Sequence, residues 1–220
     1  MAEDRFTELR AEMVEKQLRK RDVKDERVLR AMETVARHEF VPDQLKNLAY
    51  TDEPLGIGDG QTISQPYIVA AMTEALNLSP NAKVLDVGTG CGYQAAILAS
   101  LVRDVYSIEY RPDLARAAAD RLHRLGYLNV HVFCGDGSMG LLEFAPYDAI
   151  LVAAAAPHVP KPLLEQLDDS GRLIAPLGTE DRQNLVLVTR HGAEFVTEQR
   201  EPCRFVPLLG KYGWQPWELM

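Results

Sequence analysis

The sequence has little of what anchors a protein to a membrane or a nucleic acid. No apolar run approaches the length of about 18 residues that a membrane span needs. Basic residues are in the minority, with 24 Lys and Arg against 32 Asp and Glu, and the formal net charge is −8. Binding to nucleic acid or to an anionic membrane depends on clustered basic residues. We therefore expect neither partner.

Cysteine is also scarce, and histidine is scattered. Cys91, Cys134 and Cys203 show no metal-ligand spacing and leave an odd count, and the five histidines lie in no partner motif. We expect no metal site and reduced thiols, which are typical of a cytoplasmic protein. Residues 1–5 are mostly charged and lack the apolar stretch of a signal peptide. The sequence therefore favours a cytoplasmic location.

What is present is the composition of a globular chain, 46% hydrophobic and 25% charged. Residues 5–36 carry apolar side chains at helical spacing, and residues 37–60 form an irregular stretch rich in Pro, Gly and Asp. From residue 83 onward, strand and helix patterns alternate, which predicts an α/β fold with a doubly wound, mostly parallel sheet. We expect residues 1–60 to be a helical extension that packs on a core of residues 61–220 in one compact unit.

The core elements follow from periodicity and turn residues. The predicted helices span residues 66–78, 95–101, 112–125 and 160–167. The predicted strands span residues 83–87, 105–108, 130–134, 147–153 and 171–176. Residues 184–190 and 193–200 predict a C-terminal antiparallel hairpin, and residues 203–209 are a candidate for pairing with the sheet edge.

The most informative segment follows the strand at residues 83–87. Asp86 leads three alternate glycines, Gly88, Gly90 and Gly92, and a helical pattern comes next. A dinucleotide-binding fingerprint needs a glycine where Tyr93 stands, and no Gly-Lys-Ser/Thr phosphate loop follows. The pattern resembles the first motif of S-adenosylmethionine-dependent methyltransferases, whose cofactor is cationic and carries no phosphate. The alternative is a tight turn between strand and helix that binds no ligand.

Two further acids stand at the ends of the next two strands. Glu109 would lie beside the glycine loop, where an acid can accept both ribose hydroxyls, or it is an exposed loop residue. Asp136, between Gly135 and Gly137, stands where methyltransferases usually hold the adenine amino group. Without the other two motifs, a Gly-Asp-Gly turn would explain Asp136 better.

Ser64 lies before the predicted core, in the segment GQTISQPY at residues 60–67. Pro66 is placed as a helix-start residue. On spacing alone, Ser64 is better explained as a helix N-cap than as a functional residue.

Taken together, the motifs resemble the protein-L-isoaspartate O-methyltransferase family, in its bacterial form, over residues from about 13 to 214. The matching pieces are ERVL with AM within 26–32, RHEFVP at 37–42, AY at 49–50, GQTISQP at 60–66, VLDVGTGCGY at 84–93, GDG at 135–137, PYDAI at 146–150, AAAP at 154–157, GRLIAPLG at 171–178 and FVPL at 205–208. The TIS and AAAP pieces are specific to this family, whereas the glycine loop is shared by methyltransferases in general.

The resemblance implies methyl transfer from S-adenosyl-L-methionine to the α-carboxylate of L-isoaspartyl residues, with S-adenosyl-L-homocysteine as product and repair through a succinimide. It implies a Rossmann-like methyltransferase fold, Ser64 as the active-site residue, and Ser64, Val206, Pro207 and Leu208 as the substrate-binding residues. The implied cofactor-binding residues are Thr62, Ile63, Gln65, Asp86, Gly88, Thr89, Gly90, Cys91, Glu109, Tyr110, Asp136 and Gly137.

The implied partners are isoaspartyl peptides and flexible or unfolded protein segments, and we expect a monomer. Two other functions remain open from the residues alone. One is a methyltransferase for a small molecule or an RNA, although the charge of −8 does not favour RNA. The other is a cofactor-binding protein without activity.

Overall fold

The computed structural model describes residues 2–215, so Met1 and residues 216–220 of the expected extension and core lie outside it. The helices are α1 (Ala2–Met13), α2 (Glu26–Thr34), α3 (Pro66–Ala75), α4 (Tyr93–Ala99), α5 (Pro112–Arg124) and α6 (Lys161–Glu165). The strands are β1 (Leu55–Gly58), β2 (Gln61–Ile63), β3 (Lys83–Val87), β4 (Asp104–Glu109), β5 (Val130–Cys134), β6 (Tyr147–Val152), β7 (Leu167–Gly178), β8 (Gln183–His191) and β9 (Glu194–Cys203).

Seven strands form one mixed sheet in the order β5-β4-β3-β6-β7-β8-β9. The pairs from β5 to β7 are parallel, and β8 and β9 add an antiparallel hairpin at one edge. The expected fold class, with its N-terminal helices and C-terminal hairpin, is confirmed. The order reverses beside β3, and ligands in such sheets bind beyond the carboxyl ends of the strands at that point.

Both faces of the sheet are covered, because neighbouring residues of the central strands pack into different clusters. Val84 and Leu151 belong to a cluster that includes residues of α2, α3 and α4. Leu85 and Ile150 belong to a second cluster, which includes Leu163 of α6. This alternation has the period of two that a strand requires. The nearly continuous apolar sequence of β6 is explained by burial on both faces.

The helical prediction for residues 5–36 is correct in outline, but the helix is interrupted. A π-helical stretch, Val14–Leu18, and a short 3₁₀ turn follow α1. The chain then turns at Asp22, which adopts a left-handed conformation with φ of 66°. Asp25 starts α2 by accepting a hydrogen bond from the Arg27 backbone N–H. This aspartate is the N-cap residue of α2 and fixes where the second helix begins.

Residues 37–60 contain more structure than their composition suggested. Two 3₁₀ segments are followed by β1, which pairs with β2 as an antiparallel hairpin. The hairpin turns at Asp59 and Gly60, whose φ angles are 51° and 70°. An Asp-Gly pair is the usual signal for such a turn, so the sequence carried the information. The hairpin spans residue 60, where the extension was expected to end.

The prediction that residues 203–209 pair with the sheet edge holds only for Cys203, which ends β9. Residues 204–209 leave the sheet edge and cross the carboxyl end of β6. The Ala155 N–H donates to the Val206 carbonyl at 2.8 Å, and the Leu208 N–H donates to the Ala155 carbonyl at 2.7 Å. Pro207 has no N–H, so the hydrogen bonds of this crossing come from Val206 and Leu208 on either side of it. The segment therefore lies over the position where a ligand would bind.

Candidate active site

Three cavities lie at the carboxyl end of the parallel strands, and each is lined by Thr62 and Ala153. The glycine-loop cavity is further lined by Gln61, Val87, Gly88, Gly90, Ile108, Glu109, Tyr110, Arg111, Gly137, Ala154, Val206, Pro207, Leu208 and Leu209. The inner cavity is further lined by Ile63, Ser64, Val69, Met72, Gly88, Thr89, Gly90, Cys91, Tyr93, Gln94 and Phe205. The β9 cavity is further lined by Pro54, Ser64, Gln65, Ile68, Pro202, Cys203, Arg204, Phe205 and Val206.

The glycine loop opens directly from β3 into the first two of these cavities. Gly88 and Gly90 have positive φ angles of 96° and 54°, which side chains other than glycine adopt only under strain. The Gly88 N–H donates to the Ile108 carbonyl at 2.8 Å, which ties the loop to β4. Gly88 and Gly90 both line these two cavities, so a ligand there could approach their bare backbone.

Glu109 lies at the end of β4 and lines the glycine-loop cavity. It is 7% exposed, so the alternative of an exposed loop acid is wrong. One carboxylate oxygen accepts from the Gly90 N–H at 2.8 Å, and the other accepts from the Arg111 N–H at 3.0 Å. Each oxygen keeps a lone pair for a further donor. A ligand with two neighbouring hydroxyl groups would meet a carboxylate already held in place.

Asp86 is fully buried in β3 and lines none of the three cavities. One oxygen accepts from the Ser107 hydroxyl at 2.7 Å, and the other, Oδ1, has no partner in the described structure. Burial raises the pKa of Asp86 to about 7; the Ser107 hydrogen bond lowers it, and the charge of Glu109 raises it further. Its predicted contact with the cofactor stays a prediction.

Asp136 also has contacts that the sequence did not suggest. Its Oδ1 accepts from the backbone N–H and the hydroxyl of Ser138, at 2.9 and 2.6 Å. Its other oxygen accepts from the Lys211 N–H at 2.8 Å. The carboxylate thus caps a turn and holds the C-terminal segment, while the adjacent Gly137 lines the glycine-loop cavity. The adenine contact of Asp136 stays a prediction.

Ser64 does not cap a helix, contrary to the interpretation that its spacing favoured. Helix α3 begins at Pro66, its N-cap residue is Gln65, and no side chain caps it. The partly buried Ser64 lines both the inner cavity and the β9 cavity. Within the described residues its hydroxyl has no hydrogen-bond partner. It is therefore available to a ligand at the position where the two cavities meet.

The remaining predicted residues lie around these cavities as follows. Ile63, Thr89 and Cys91 line the inner cavity, Gln65 lines the β9 cavity, and Tyr110, Pro207 and Leu208 line the glycine-loop cavity. The Thr89 hydroxyl is hydrogen-bonded to the Ser107 hydroxyl at 2.6 Å. Val206 lines both the glycine-loop cavity and the β9 cavity.

Sequence reasoning missed several lining residues. Ala153 follows β6 directly, and the rule that ligands bind beyond strand ends would have indicated it. Phe205 and Arg204 belong to the segment that was expected at the sheet edge, so the wrong path for that segment hid their place in the cavity lining. Pro54 precedes β1 and Gln61 begins β2, in the hairpin that the sequence pattern did not reveal.

Residues 2–215 contain neither a candidate metal site nor a membrane-spanning helix. In this range no group of three or more His, Cys, Asp and Glu residues could hold a metal ion. No helix within the range is both long enough and apolar enough to cross a bilayer.

The fold and the cavities define a class of protein, the S-adenosylmethionine-dependent methyltransferases. The donor set suits that cofactor: Glu109 offers a carboxylate for ribose hydroxyls, bare glycine backbone allows close approach, and Val87, Ile108 and Leu208 offer apolar contact. A carboxylate at this place suits a cationic ligand and disfavours a phosphate.

Comparison with known proteins narrows the class to a family. The model of the protein-L-isoaspartate(D-aspartate) O-methyltransferase family matches residues 8–213. A protein-L-isoaspartate O-methyltransferase of Picosynechococcus sp. is 55% identical over 206 residues, which are 93% of this chain and 92% of the relative. One of Methanoculleus marisnigri is 52% identical over 207 residues, 94% of each chain. The chain therefore belongs to the protein-L-isoaspartate O-methyltransferase family.

Solved structures agree. A structure of a protein-L-isoaspartate O-methyltransferase superimposes with a TM-score of 0.82 at 31% identity, covering 97% of this chain and 67% of the other. A second, described as a candidate member of the family from Plasmodium falciparum in complex with S-adenosyl-L-homocysteine, gives a TM-score of 0.80 at 25% identity. That alignment covers 91% of this chain and 98% of the other.

Proposed function

We propose that the protein methylates the α-carboxylate of L-isoaspartyl residues in damaged proteins and peptides, using S-adenosyl-L-methionine, and so starts their repair through a succinimide. The observation that carries the proposal is the position of Ser64, an unpartnered hydroxyl where the inner cavity meets the β9 cavity. A family relationship supports the same substrate.

The proposal assigns each cavity a role. Gly88, Gly90 and Glu109 would hold the cofactor in the glycine-loop cavity, with the Glu109 carboxylate accepting from its ribose hydroxyls. The isoaspartyl residue enters through the β9 cavity. When bound, the cofactor supplies an electrophilic methyl group. Thr62 and Ala153 line all three cavities, so they lie where donor and acceptor meet.

The chain's own residues position the reacting groups rather than move a proton. A carboxylate is already ionised at pH 7, so the acceptor needs no general base. Ser64 would donate a hydrogen bond to one carboxylate oxygen and hold the other in line with the methyl carbon. Alignment of this kind contributes on the order of 7–11 kcal/mol in well-oriented reactions. Ile68 and Phe205 offer apolar walls that exclude water from the nucleophile.

The segment that crosses β6 gives the substrate its other wall. The Val206 carbonyl accepts from the Ala155 N–H and the Leu208 N–H donates to the Ala155 carbonyl, which fixes Pro207 between them. We propose that Val206 and Pro207 contact the peptide beside the isoaspartyl residue. Action as a monomer is part of the same proposal. The absence of nucleic-acid and membrane partners is proposed on the acidic charge of −8, and the cytoplasmic location on the free thiols of Cys91, Cys134 and Cys203.

The test is methyl transfer from radiolabelled cofactor to two matched peptides that differ only in an isoaspartyl or an aspartyl residue. Base-labile label in the isoaspartyl peptide alone is the expected result. Label in a small molecule or RNA but in neither peptide would contradict the proposal. Tight cofactor binding without transfer would instead favour an inactive binding protein.

Ser64→Ala gives the test its residue-level control. We expect unchanged affinity for S-adenosyl-L-homocysteine and at least about a tenfold lower kcat, since a lost buried hydrogen bond typically costs about 1–3 kcal/mol. Ser100→Ala is the matched variant, because the Ser100 hydroxyl donates to the Ala96 carbonyl at 2.9 Å, outside the three cavities. Equal kcat in both variants would remove Ser64 from the mechanism.

A further inference from the structure

We propose that Arg204 recognises the acceptor carboxylate of the substrate, a role that rests on the proposed function of the Ser64 site. Among the described residues that line the β9 cavity, Arg204 is the one with a formal charge. The cavity that must bind an anionic carboxylate therefore carries one positively charged side chain, in a chain whose net charge is −8.

The Arg204 guanidinium is free to bind a ligand. Its side chain is exposed and has no hydrogen bond or ion pair with any residue in the described part of the chain. Arg200, four residues earlier on β9, is instead paired with Glu198 at 3.1 Å. An unpaired arginine in a cavity loses no existing partner when an anion arrives, so its donors contribute fully to recognition.

The backbone around Arg204 is fixed, although its side chain is free. Cys203 ends β9 and is in register with Gln183 on β8. The buried Gln183 side chain accepts from the Phe205 N–H at 3.0 Å and donates to the Thr179 carbonyl at 2.6 Å. These contacts hold the residues on both sides of Arg204. A guanidinium on a fixed backbone loses less freedom when it binds a carboxylate than one on a mobile loop.

The chemistry of the acceptor explains why an arginine suits this place. A carboxylate has four lone-pair positions on two oxygens, so it can accept from Arg204 and Ser64 and still present an oxygen to the methyl carbon. Ser64 would set the line of attack, and Arg204 would select an ionised group over a neutral amide. Arg204 therefore acts on substrate binding, and its replacement is expected to raise KM more than it lowers kcat.

The experiment uses an acetylated and amidated peptide in which the isoaspartyl carboxylate is the only acidic group. We expect Arg204→Gln to raise KM by about three- to fivefold and to change kcat less than about twofold, the loss typical of one exposed charge pair. KM of the wild type should rise with ionic strength, and KM of Arg204→Gln should depend on it less, because salt screens the attraction. Arg204→Lys should restore part of the lost affinity.

Arg200→Gln is the matched control, since it removes one positive charge from β9, four residues before Arg204, at a position that lines none of the three cavities. Affinity for S-adenosyl-L-homocysteine should be equal in all variants, which shows that they are folded. An equal KM shift in Arg204→Gln and Arg200→Gln would overturn the proposal. So would a shift seen only with peptides that carry an additional Asp or Glu, or a loss confined to kcat.

The two proposals fail in different ways. A wild-type enzyme that transfers no methyl group to the isoaspartyl peptide contradicts the proposed function, and the role of Arg204 falls with it. A wild-type enzyme that does so, with unchanged KM in Arg204→Gln, contradicts the role of Arg204 alone.

Discussion

Asp86 combines complete burial with an oxygen, Oδ1, that has no partner in the described structure. Taking a carboxylate out of water disfavours its charged form, and burial accordingly raises the pKa of Asp86 to about 7. The acid that leads the glycine loop is thus close to half-protonated near neutral pH. Its sequence position suggested a permanent negative charge, whereas its environment in β3 makes that charge costly.

Because the pKa of Asp86 is raised in the folded protein, the free energy of unfolding should depend on pH. An unfolded aspartate ionises near pH 3.8, so between about pH 4 and 7 the folded protein keeps a proton that the unfolded chain has lost. The free energy of unfolding should therefore fall as pH rises through this window, by up to roughly 4 kcal/mol for a shift of about three pH units, and level off above it. Asp86→Asn should remove that slope.

Urea unfolding at several pH values between 4.5 and 8 measures the effect as the difference between wild type and variant. Asp120→Asn is the control, because Asp120 is exposed on α5 and its replacement should leave the slope unchanged. A slope in Asp86→Asn that equals the wild-type slope would show that Asp86 ionises normally in the folded protein.

Individual residues differ in how well sequence could place them. Glu109 was predictable, because a strand end next to a glycine loop has a defined place in an open parallel sheet. Ser64 was not, because a serine two residues before a helix-start proline serves equally well as a cap or as a ligand. The choice depended on whether the chain enters α3 through Ser64 or Gln65, which is a matter of backbone geometry.

The C-terminal segment of residues 205–214 works as a roof over the glycine-loop cavity. Asp136 accepts from the Lys211 N–H, and the Ser138 hydroxyl accepts from the Tyr212 N–H at 2.9 Å. Gly210 lies against this pair with a φ of 146°, and a Cβ there would overlap the Asp136 carboxylate. Only glycine at position 210 therefore allows this segment to lie against Asp136 over the cavity.

We expect Gly210→Ala to lower the affinity for S-adenosyl-L-homocysteine by about tenfold. The overlap and a strained φ cost on the order of 1–3 kcal/mol, which moving the segment would relieve. Leu208 and Leu209, which line the cavity, would move with it. Isothermal titration calorimetry measures the change.

Gly192→Ala is the control for backbone strain. Gly192 has a φ of 61° in the β8–β9 turn, and a Cβ there would have no heavy atom within 4 Å. The Gly192→Ala variant should be slightly less stable than the wild type and should bind S-adenosyl-L-homocysteine normally. Normal binding by Gly210→Ala as well would mean that the roof does not contribute to the cofactor site.

Elements with strong periodicity were predicted to within a few residues, as β3, β5 and β6 show. The interruption between α1 and α2 and the path of residues 203–209 were not. The local sequence gives an isolated helix no reason to stop at Asp22. The short segment around Pro207 pairs with Ala155 because the folded sheet leaves the backbone of Ala155 free to bond. Both depend on contacts with distant parts of the chain.

We propose that the N-terminal helices and the sheet form a single folding unit. Met13, Val14 and Leu18 belong to the same hydrophobic cluster as Ile97 of α4. The Tyr93 hydroxyl lies 3.8 Å from the Met32 sulfur, which links α2 to the helix that follows the glycine loop. Residues on both sides of position 60 therefore share one core.

Met32→Ala should lower the free energy of unfolding by about 2–5 kcal/mol, as expected for a large side chain with 0% exposure. Because Met32 links α2 to α4, circular dichroism and tryptophan fluorescence should report one transition at the same urea concentration. Two separate transitions, with Met32→Ala shifting only the first, would show that the extension unfolds independently. Leu48→Ala, at an exposed position in the same half of the chain, should change stability little.

Local chemistry along the chain was sufficient to infer the fold class, the glycine loop with its acids and the family, because strand periodicity and short motifs are properties of neighbouring residues. The tertiary structure was needed to bring Ser64, Ala153 and Arg204 around adjoining cavities, since Ser64 and Ala153 are 89 positions apart and Ala153 and Arg204 are 51 positions apart. It also showed that Asp86, the acid that leads the glycine loop, is fully buried with a raised pKa. Burial and long-range packing, which no local pattern encodes, decided both.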